Sequence, residues 1–525
     1  MSDITTTAGA ALPAASSEGR RMFAFLCMVF GMFMAILDIQ IVSASLAEIQ
    51  AGLAASSDEI SWVQTSYLIA EVVMIPLSGF LSRALSTRWL FVAAATGFTV
   101  MSFMCATATT INQMIVYRAL QGFLGGGMIP TVFAAAYSVF PREKQRVVAP
   151  LIGQVAPLAP TNGPTIGGYL TDQFSWHWRL LVNIIPGILV IIATATLVDF
   201  DEPDLALLDR FDWWGLIFMA GFLGSLEFVL EEGPTNDWFE DRAIFFFAIA
   251  GTVSAIAFFA RVLMAREPVV DLRAFSNRNF AVGSAFSFVV GIGLYGLTYL
   301  YPLYLARVRG YSALMIGETM FVSGLAMFIC APIAGRLMGK VDPRVMIAFG
   351  FGAFALGTWQ VTGLTKDWDF WELLVPQILR GVGIMMAMIP VNNISLGTLP
   401  PAQLKNASGL FNLMRNLGGA VGLAMINTVL NDRWDLHLAR LHENVQWANA
   451  VAVERLDTMT RSLSALGSDA EAAALKRMAG QVRIQAEVMA FSDVFLVLTV
   501  LFVLLLLASP LMSRPANNGG GGGGH

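Results

Sequence analysis

Fourteen predominantly apolar runs recur along the chain, at about 22–46, 60–81, 89–107, 112–139, 147–171, 179–198, 213–230, 243–263, 280–305, 313–337, 345–364, 371–398, 405–430 and 487–509. Each is long enough to cross a hydrocarbon layer, because about 20 residues rising ~1.5 Å apiece cover ~30 Å. Inside such a layer the backbone finds no water, so a crossing segment must close its own hydrogen bonds, and a helix does so within one run. The expected fold class is therefore all-α, integral and multi-pass. Composition agrees, with 56% apolar and 13% charged residues, about half the charge of a soluble domain. The net charge of −5 is spread over loops, without the basic block that tracks nucleic acid. Cys27, Cys105 and Cys330 all sit in apolar runs, which gives neither a disulfide framework nor a metal cluster. Arg20 and Arg21 precede a run too long for a signal peptide, so 1–21 reads as a tail.

Orientation follows from the short loops. Seventeen Lys and Arg fall on one side, from Arg20 and Arg21 through Arg83, Arg88, Lys340 and Arg344 to Arg514. The other side has five: Arg179, Arg242, Arg307, Arg309 and Lys366. The excess places both termini in the cytoplasm. An internal repeat divides the chain: span 2 ends on Pro76, Gly79 and Leu81 as span 10 ends on Pro332, Gly335 and Leu337. Span 4 carries Arg118, Gln121 and Gly122 where span 12 carries Gln377, Arg380 and Gly381. Parallel halves of this kind are an architecture of secondary transporters, with the substrate site between them near the midplane. The expected units are a 1–21 tail, a six-helix half over 22–210, two inserted helices over 211–270, a second six-helix half over 271–515 with a long outer loop at 431–487, and a glycine-rich 516–525 tail.

Span 5 is built to be broken. Pro157, Pro160 and Pro164 recur at about one-turn spacing, and Gly163, Gly167 and Gly168 add a small-residue face. A proline removes a backbone donor and crowds the carbonyl four residues back. In a bilayer the freed groups must be met by neighbouring protein or a cavity. Two readings are open, a helix beside the transport pathway and a kink that serves packing alone.

Taken in order, LDIQIV on span 1, RALQG on span 4, NGPTIGG on span 5, WHWRLLVNIIPG entering span 6, FDWWG opening span 7, PVVDLRAFSNRNF before span 9 and NASGLFNLMRNLGGAVG on span 13 resemble the fourteen-helix drug:proton antiporters, the EmrB/QacA branch of the major facilitator superfamily. EmrB-type proteins are the most similar. The resemblance implies the major facilitator fold with two six-helix halves and two inserted linker helices, a bacterial inner-membrane location, and proton-driven export of hydrophobic or amphipathic compounds. It implies no cofactor beyond the proton gradient. It also implies partnership with a periplasmic adaptor and an outer-membrane channel. The Pro160, Gly163, Pro164, Gly167 and Gly168 set matches the family's antiporter signature, and Gly79, Arg83, Gln121 and Gly122 fall at its conformational motifs. One departure stands out: where the family's loop between spans 2 and 3 carries an acid, this chain has Arg83, so the latch attributed to that acid is not expected in this half. On span 1, Gln40 and Ser43 replace the family's other polar residues beside Asp38.

Charges inside the membrane cost about 2.5–3.5 kcal/mol each on insertion scales, so each one calls for a reason. At ~1.5 Å per residue, Asp38, Arg118 and Glu71 lie roughly 12, 10 and 16 Å below the outer ends of their helices, in one layer. Desolvation and a neighbouring arginine act oppositely on a carboxyl, so Asp38 is the expected proton carrier, Glu71 a second acid or cation-recognition group, and Arg118 the group that tunes them. A static ion pair fixing helix register is the alternative. Arg380 and Arg415 have no obvious acidic partner in their own half, Glu227 reads as peripheral on an inserted span, and Glu318 sits near the outer surface. Tyr299, Asn392, Arg380 and Arg415 are pocket candidates.

Nucleotide-binding loops, histidine clusters and hydrolase elbows are absent from the sequence, so an enzyme is not expected. A proton-linked uptake carrier for a small organic solute is the alternative transporter on the same scaffold. In the 431–487 loop, Val451, Leu456, Leu463, Leu466, Leu475, Met478 and Val482 recur at helical spacing between basic residues. That face suits either docking of a partner or helices lying on the membrane.

Overall fold

The computed structural model describes residues 18–43, 46–141, 175–265 and 268–513, with the single positions Lys144, Val148, Leu151, Ile152, Val155, Ala159 and Gly163 between them. Thirteen helices are long and apolar enough to cross a membrane. They match, in order, every expected span except the fifth, of which only the single positions are described. Pro160, Pro164, Gly167 and Gly168, like Arg514 and the glycine-rich tail, lie outside the described residues.

Local sequence signals start these helices. Span 2 (Glu59–Ala84) opens on a capping box in which Ser56 and Glu59 satisfy each other's backbone donors. Span 4 (Ile111–Ser138) is capped by Thr110. Asp212, Asp241, Asn277, Ser312 and Asp342 cap spans 7 to 11, and Asp369 with Glu372 forms a second capping box at span 12 (Phe370–Gly397). Each cap supplies an acceptor to N–H groups that would otherwise stand unpaired at the edge of the apolar layer.

Helices then pack through glycines, as expected where the lipid competes with side chains and only close backbone approach adds contact. A Cβ on Gly122 would collide with the Tyr67 carbonyl of span 2, and one on Gly381 with the Ser323 carbonyl of span 10 (Leu314–Leu337). The repeat read from the sequence is thus a repeat of crossings: 2 on 4 and 10 on 12. Gly291 of span 9 (Arg278–Arg307) meets the Arg415 carbonyl of span 13, while Gly418 meets the Phe288 carbonyl of span 9.

Span 7 (Trp213–Thr235) lies against span 2, where Trp62 stacks on Phe228 at 5.4 Å, and reaches span 13. Span 8 (Arg242–Met264) is the most lipid-exposed helix, with Val253, Ile256 and Leu263 all uncovered.

Two helices run further than the sequence suggested. Span 13 continues as one helix, Pro401–Asn444, and span 14 begins at Ala470, so the outer loop is chiefly helix. No proline interrupts either extension, and a helix already started lengthens at one hydrogen bond per residue. Ala450–Ser462 folds back on the start of span 14, where Leu456 and Met459 bury against Ala474 and Met478. Leu456, Leu463 and Met478 of the apolar face read as a docking or membrane surface are therefore consumed within the hairpin. Val451 and Leu475 stay exposed.

Candidate functional site

The polar layer of the first half is a closed hydrogen-bond network. Arg118 Nη1 donates to Asp38 Oδ2 at 2.6 Å, joining span 4 to span 1 (Gly19–Ser43), and both side chains are essentially inaccessible. The same nitrogen donates to Gln121 Oε1 at 2.8 Å, Nε donates to the Val63 carbonyl at 3.3 Å, and the guanidinium lies 4.2 Å from the Tyr67 ring centroid. Asp38 Oδ1 accepts from Asn183 Nδ2 of span 6 (Trp176–Leu197) at 2.6 Å. Asn183 also donates to Ser102 Oγ at 3.1 Å, and Ser102 donates to the Leu180 carbonyl at 2.8 Å. One buried carboxylate thus ties spans 1, 4 and 6 together and, through Asn183, span 3 (Ser86–Ala106). A desolvated ion pair with this much support is strongly coupled to its surroundings, and a change in its protonation state must be felt by four helices.

The arrangement departs from the expected layer in one respect: Glu71 makes no hydrogen bond or ion pair with Arg118 among the described residues, although it is 4% exposed. Glu227, read as peripheral from its place on an inserted span, is 6% exposed. The cause is packing: span 7 lies on span 2 instead of standing apart in lipid. Glu318 is exposed, as its position near a helix end suggested.

Between the halves lies an apolar cavity formed by Ile36, Ile129, Phe133, Leu294, Met385 and Met388, with polar groups from Gln40, Tyr295, Asn392, Asn412, Arg415 and Asn416. Two of the four pocket candidates are in its wall. Asn392 presents a buried carbonyl oxygen without a hydrogen-bond partner. Arg415 sits over the Phe133 ring at 5.0 Å and donates to Asn412. Tyr299 is displaced from the wall by Tyr295, one turn earlier on the same helix, and donates instead to Asn427 at 2.8 Å. Arg380 lies behind the wall, donating to Thr298 Oγ1 at 2.8 Å and to the Leu294 carbonyl at 3.5 Å. Gly163, the described member of the antiporter signature, packs against Gln40, and Ile152 joins the cavity wall. Those contacts place Gly163 beside span 1 and Ile152 at the cavity.

The two halves are stitched together at the end of the bundle that carries the basic loops. Lys405, at the start of span 13, donates to the Ser82 carbonyl at 2.8 Å and pairs with Asp201. Asp201 in turn accepts from the Thr87 backbone N–H at 3.0 Å. Ser408 donates to the Pro130 carbonyl at 2.8 Å, and Gly79 leaves no room for a Cβ against the Asn406 backbone. Asp201, beyond span 6, thus supplies the acid that the loop between spans 2 and 3 lacks. Arg83, read from the sequence as a loop residue, lies in the last turn of span 2, where it covers the Phe80 ring at 5.7 Å and its Nε is buried without a hydrogen bond.

Comparison with known proteins agrees with this architecture. The Major Facilitator Superfamily profile matches residues 28–423. The colistin resistance protein EmrB of Acinetobacter baumannii is 40% identical over 490 residues, 93% of this chain and 96% of that protein. The multidrug export protein EmrB of Escherichia coli K12 is 29% identical over 90% of this chain and 92% of that protein. Among solved structures, the human organic anion transporter MFSD10 superposes with a TM-score of 0.57 at 13% identity, covering 93% of this chain and 100% of that one. A bacterial homologue of the lysosomal transporter Spinster gives 0.53 at 12% identity over 95% and 98%; these two likenesses concern the fold alone. With a profile over most of its length and relatives matched nearly end to end, the chain belongs to the Major Facilitator Superfamily and, within it, to the EmrB-type multidrug resistance proteins.

Proposed function

We propose that this protein is a proton-coupled multidrug exporter of the bacterial inner membrane, with both termini in the cytoplasm, moving hydrophobic or amphipathic compounds outward. The observation that carries the reading is the buried Asp38–Arg118 pair, which is held by Asn183 and lies in the same half that contributes Ile36 and Gln40 to an apolar cavity. A proton on Asp38 neutralises the acid, weakens its hold on Arg118 and Asn183, and frees spans 1, 4 and 6 to shift. Its loss restores the pair. Coupling arises because two of these helices, spans 1 and 4, also line the cavity, so occupancy of one site favours or disfavours the other. The names of the relatives, one a multidrug export protein and one a colistin resistance protein, support export as the direction. The energy source is the proton gradient, without a cofactor.

By the same resemblance the protein works with a periplasmic adaptor and an outer-membrane channel. The helical extensions of spans 13 and 14 supply the surface for that contact, through their exposed faces and not through the buried Leu456, Met459 and Met478. Reconstitution into vesicles with an imposed pH gradient tests the core of the proposal. Dye should leave the site-accessible lumen against its gradient and stop on addition of an uncoupler; proton-linked movement in the uptake direction would establish the carrier alternative. Crosslinking from exposed Val451 or Leu475 to a co-expressed adaptor tests the partnership.

A further inference from the structure

Neither inserted helix lines the cavity between the halves, so their contacts with the rest of the bundle call for a separate reason. Span 7 follows span 2 over most of its height. Phe211, just before span 7, packs on Phe80 at 4.9 Å near the inner end. Midway, a Cβ added to Gly224 would come to 3.3 Å from Ile69. Near the outer end Trp62 stacks on Phe228, and Thr65 donates to Glu232 at 3.0 Å. Close-packed contacts along the whole of one helix make the two a single body, and the inserted pair travels with the first half.

Span 13 is met differently. Toward the inner end it touches span 2 directly: a Cβ on Gly79 would lie 2.9 Å from Asn406 Cα, and one on Gly409 would lie 3.0 Å from the Ile75 carbonyl oxygen. Toward the outer end the inserted pair bridges the two. Trp238, in the loop between spans 7 and 8, donates its indole N–H to Thr428 Oγ1 of span 13 at 3.1 Å, and Asn431 donates to the Pro234 carbonyl at 3.4 Å. Thr428 stands beside Asn427, which accepts from Tyr299 of span 9, so the loop rests on the body of the second half.

The loop is also strained. Asp237 and Trp238 both hold left-handed backbone conformations, at φ 53° and 56°, where a β-carbon crowds the backbone and a bulky ring is least tolerated. Gly233 admits the indole so closely that a Cβ there would come within 2.7 Å of it. Strain of this kind persists only where the surroundings impose it. Here they are the contact with Thr428 and the apolar cluster of Phe228, Val229 and Ile244, against which Trp62 and Trp238 both pack. Halves that alternate between two openings rock against each other, so an element carried by one half and resting on the other cannot keep the same contact in both states. In this structure the Trp238 contact coexists with a closed inner end, where Lys405 pairs with Asp201.

We propose that the inserted helices act as a strut: carried by the first half and resting on span 13 through Trp238, they hold the outer ends of spans 2 and 13 apart and favour the state in which the inner end is closed and the cavity opens outward. Turning inward brings those outer ends together and displaces Trp238 from Thr428. The strain of the Asp237–Trp238 turn is released on that step, which keeps the strut from being a permanent lock.

The inference goes beyond export and requires only that the halves alternate, so the experiment reads orientation without substrate or gradient. In full-length protein with Cys27, Cys105 and Cys330 replaced by serine, Gln40→Cys on the cavity wall is labelled by an impermeant maleimide in right-side-out and in inverted membrane vesicles. Trp238→Ala should lower the ratio of outside to inside labelling by about threefold or more, and Trp238→Phe, which keeps a ring but no N–H, by less. Trp371→Ala, which removes an exposed tryptophan from span 12, should leave the ratio unchanged. An unchanged ratio in Trp238→Ala, or the same fall in Trp371→Ala, would overturn the strut. A second measurement keeps Trp238 in place, in case its removal unfolds the loop. Pro234→Cys and Asn431→Cys, joined by a cleavable bifunctional thiol reagent, should stop proton-driven dye export until the link is reduced, whereas joining Trp62→Cys to Phe228→Cys should not. Undiminished export by the first linked pair, or lost export in the second, would overturn the proposal equally. Absence of export from the unlinked protein would tell against the exporter reading, and the labelling ratio would still decide the strut.

Discussion

The two halves share a scaffold and differ in chemistry. Gly122 and Gly381 bring equivalent helix pairs to the same close contact, and each half places an arginine within three residues of a glutamine beside that glycine. In the first half the arginine meets a carboxylate; in the second, Arg380 meets a hydroxyl, a backbone carbonyl and, at 5.7 Å, the face of Tyr301. Packing is therefore symmetric and charge is not. An acid paired with a base can change its charge by taking a proton, whereas Arg380 has only neutral partners among the described residues.

The sharpest way to break this comparison is to remove each arginine. Arg118→Ala strands Asp38 without its cation and should cost about 3–5 kcal/mol, seen as a large fall in melting temperature in detergent. Arg380→Ala strands no charge and should fall much less. Equal losses would mean that the halves are energetically alike. Asp38→Asn keeps an acceptor for Asn183 but leaves the buried Arg118 cation without its carboxylate, so it should also lose up to about 3–5 kcal/mol, and it should abolish proton-driven dye export in vesicles. Coupled export at the normal rate would remove Asp38 from the mechanism.

Symmetric packing gives the opposite expectation. Gly122→Ala and Gly381→Ala each force a methyl into a facing carbonyl and should each cost about 1–3 kcal/mol, by the same melting assay. A marked inequality would show that one crossing is looser than its counterpart. Asn183→Ala removes a donor from Asp38 and should cost about 1–2 kcal/mol, with a shift in the pH dependence of export larger than any produced by changing Asn392. Smallest of all, Glu318→Gln alters an exposed acid and should leave both melting and export unchanged.

How much of this was legible beforehand depended on whether a residue's chemistry or its orientation mattered. Asp38 and Arg118 were visible because charge in an apolar run has few reasons to be there. Asn183 was overlooked although it stands in an apolar stretch, because an amide near a helix start is equally compatible with a turn. Tyr299 stands off the cavity wall for a different reason. Span 9 is apolar and aromatic on all sides, so the rotation that puts Tyr295 in the cavity wall is set by glycine contacts with span 13 and leaves no mark in the periodicity. The burial of Glu227 was not legible because the packing of span 7 on span 2 is a tertiary fact. Asp201 was invisible as a latch for the same reason, lying in a loop 204 residues from Lys405.

Span 13 has one more implication. It is a single helix of 44 residues, about 66 Å long at ~1.5 Å per residue, and it holds Lys405 at one end, Arg415 in the cavity wall, and His437 on Asp493 of span 14 beyond the Trp238–Thr428 contact. A rod of that length behaves as a mechanical gear. Were the Lys405–Asp201 pair to open and the near end to swing, a rigid rod would carry the far end the other way about the cavity wall, so a change at the inner end would be felt at the hairpin by leverage alone.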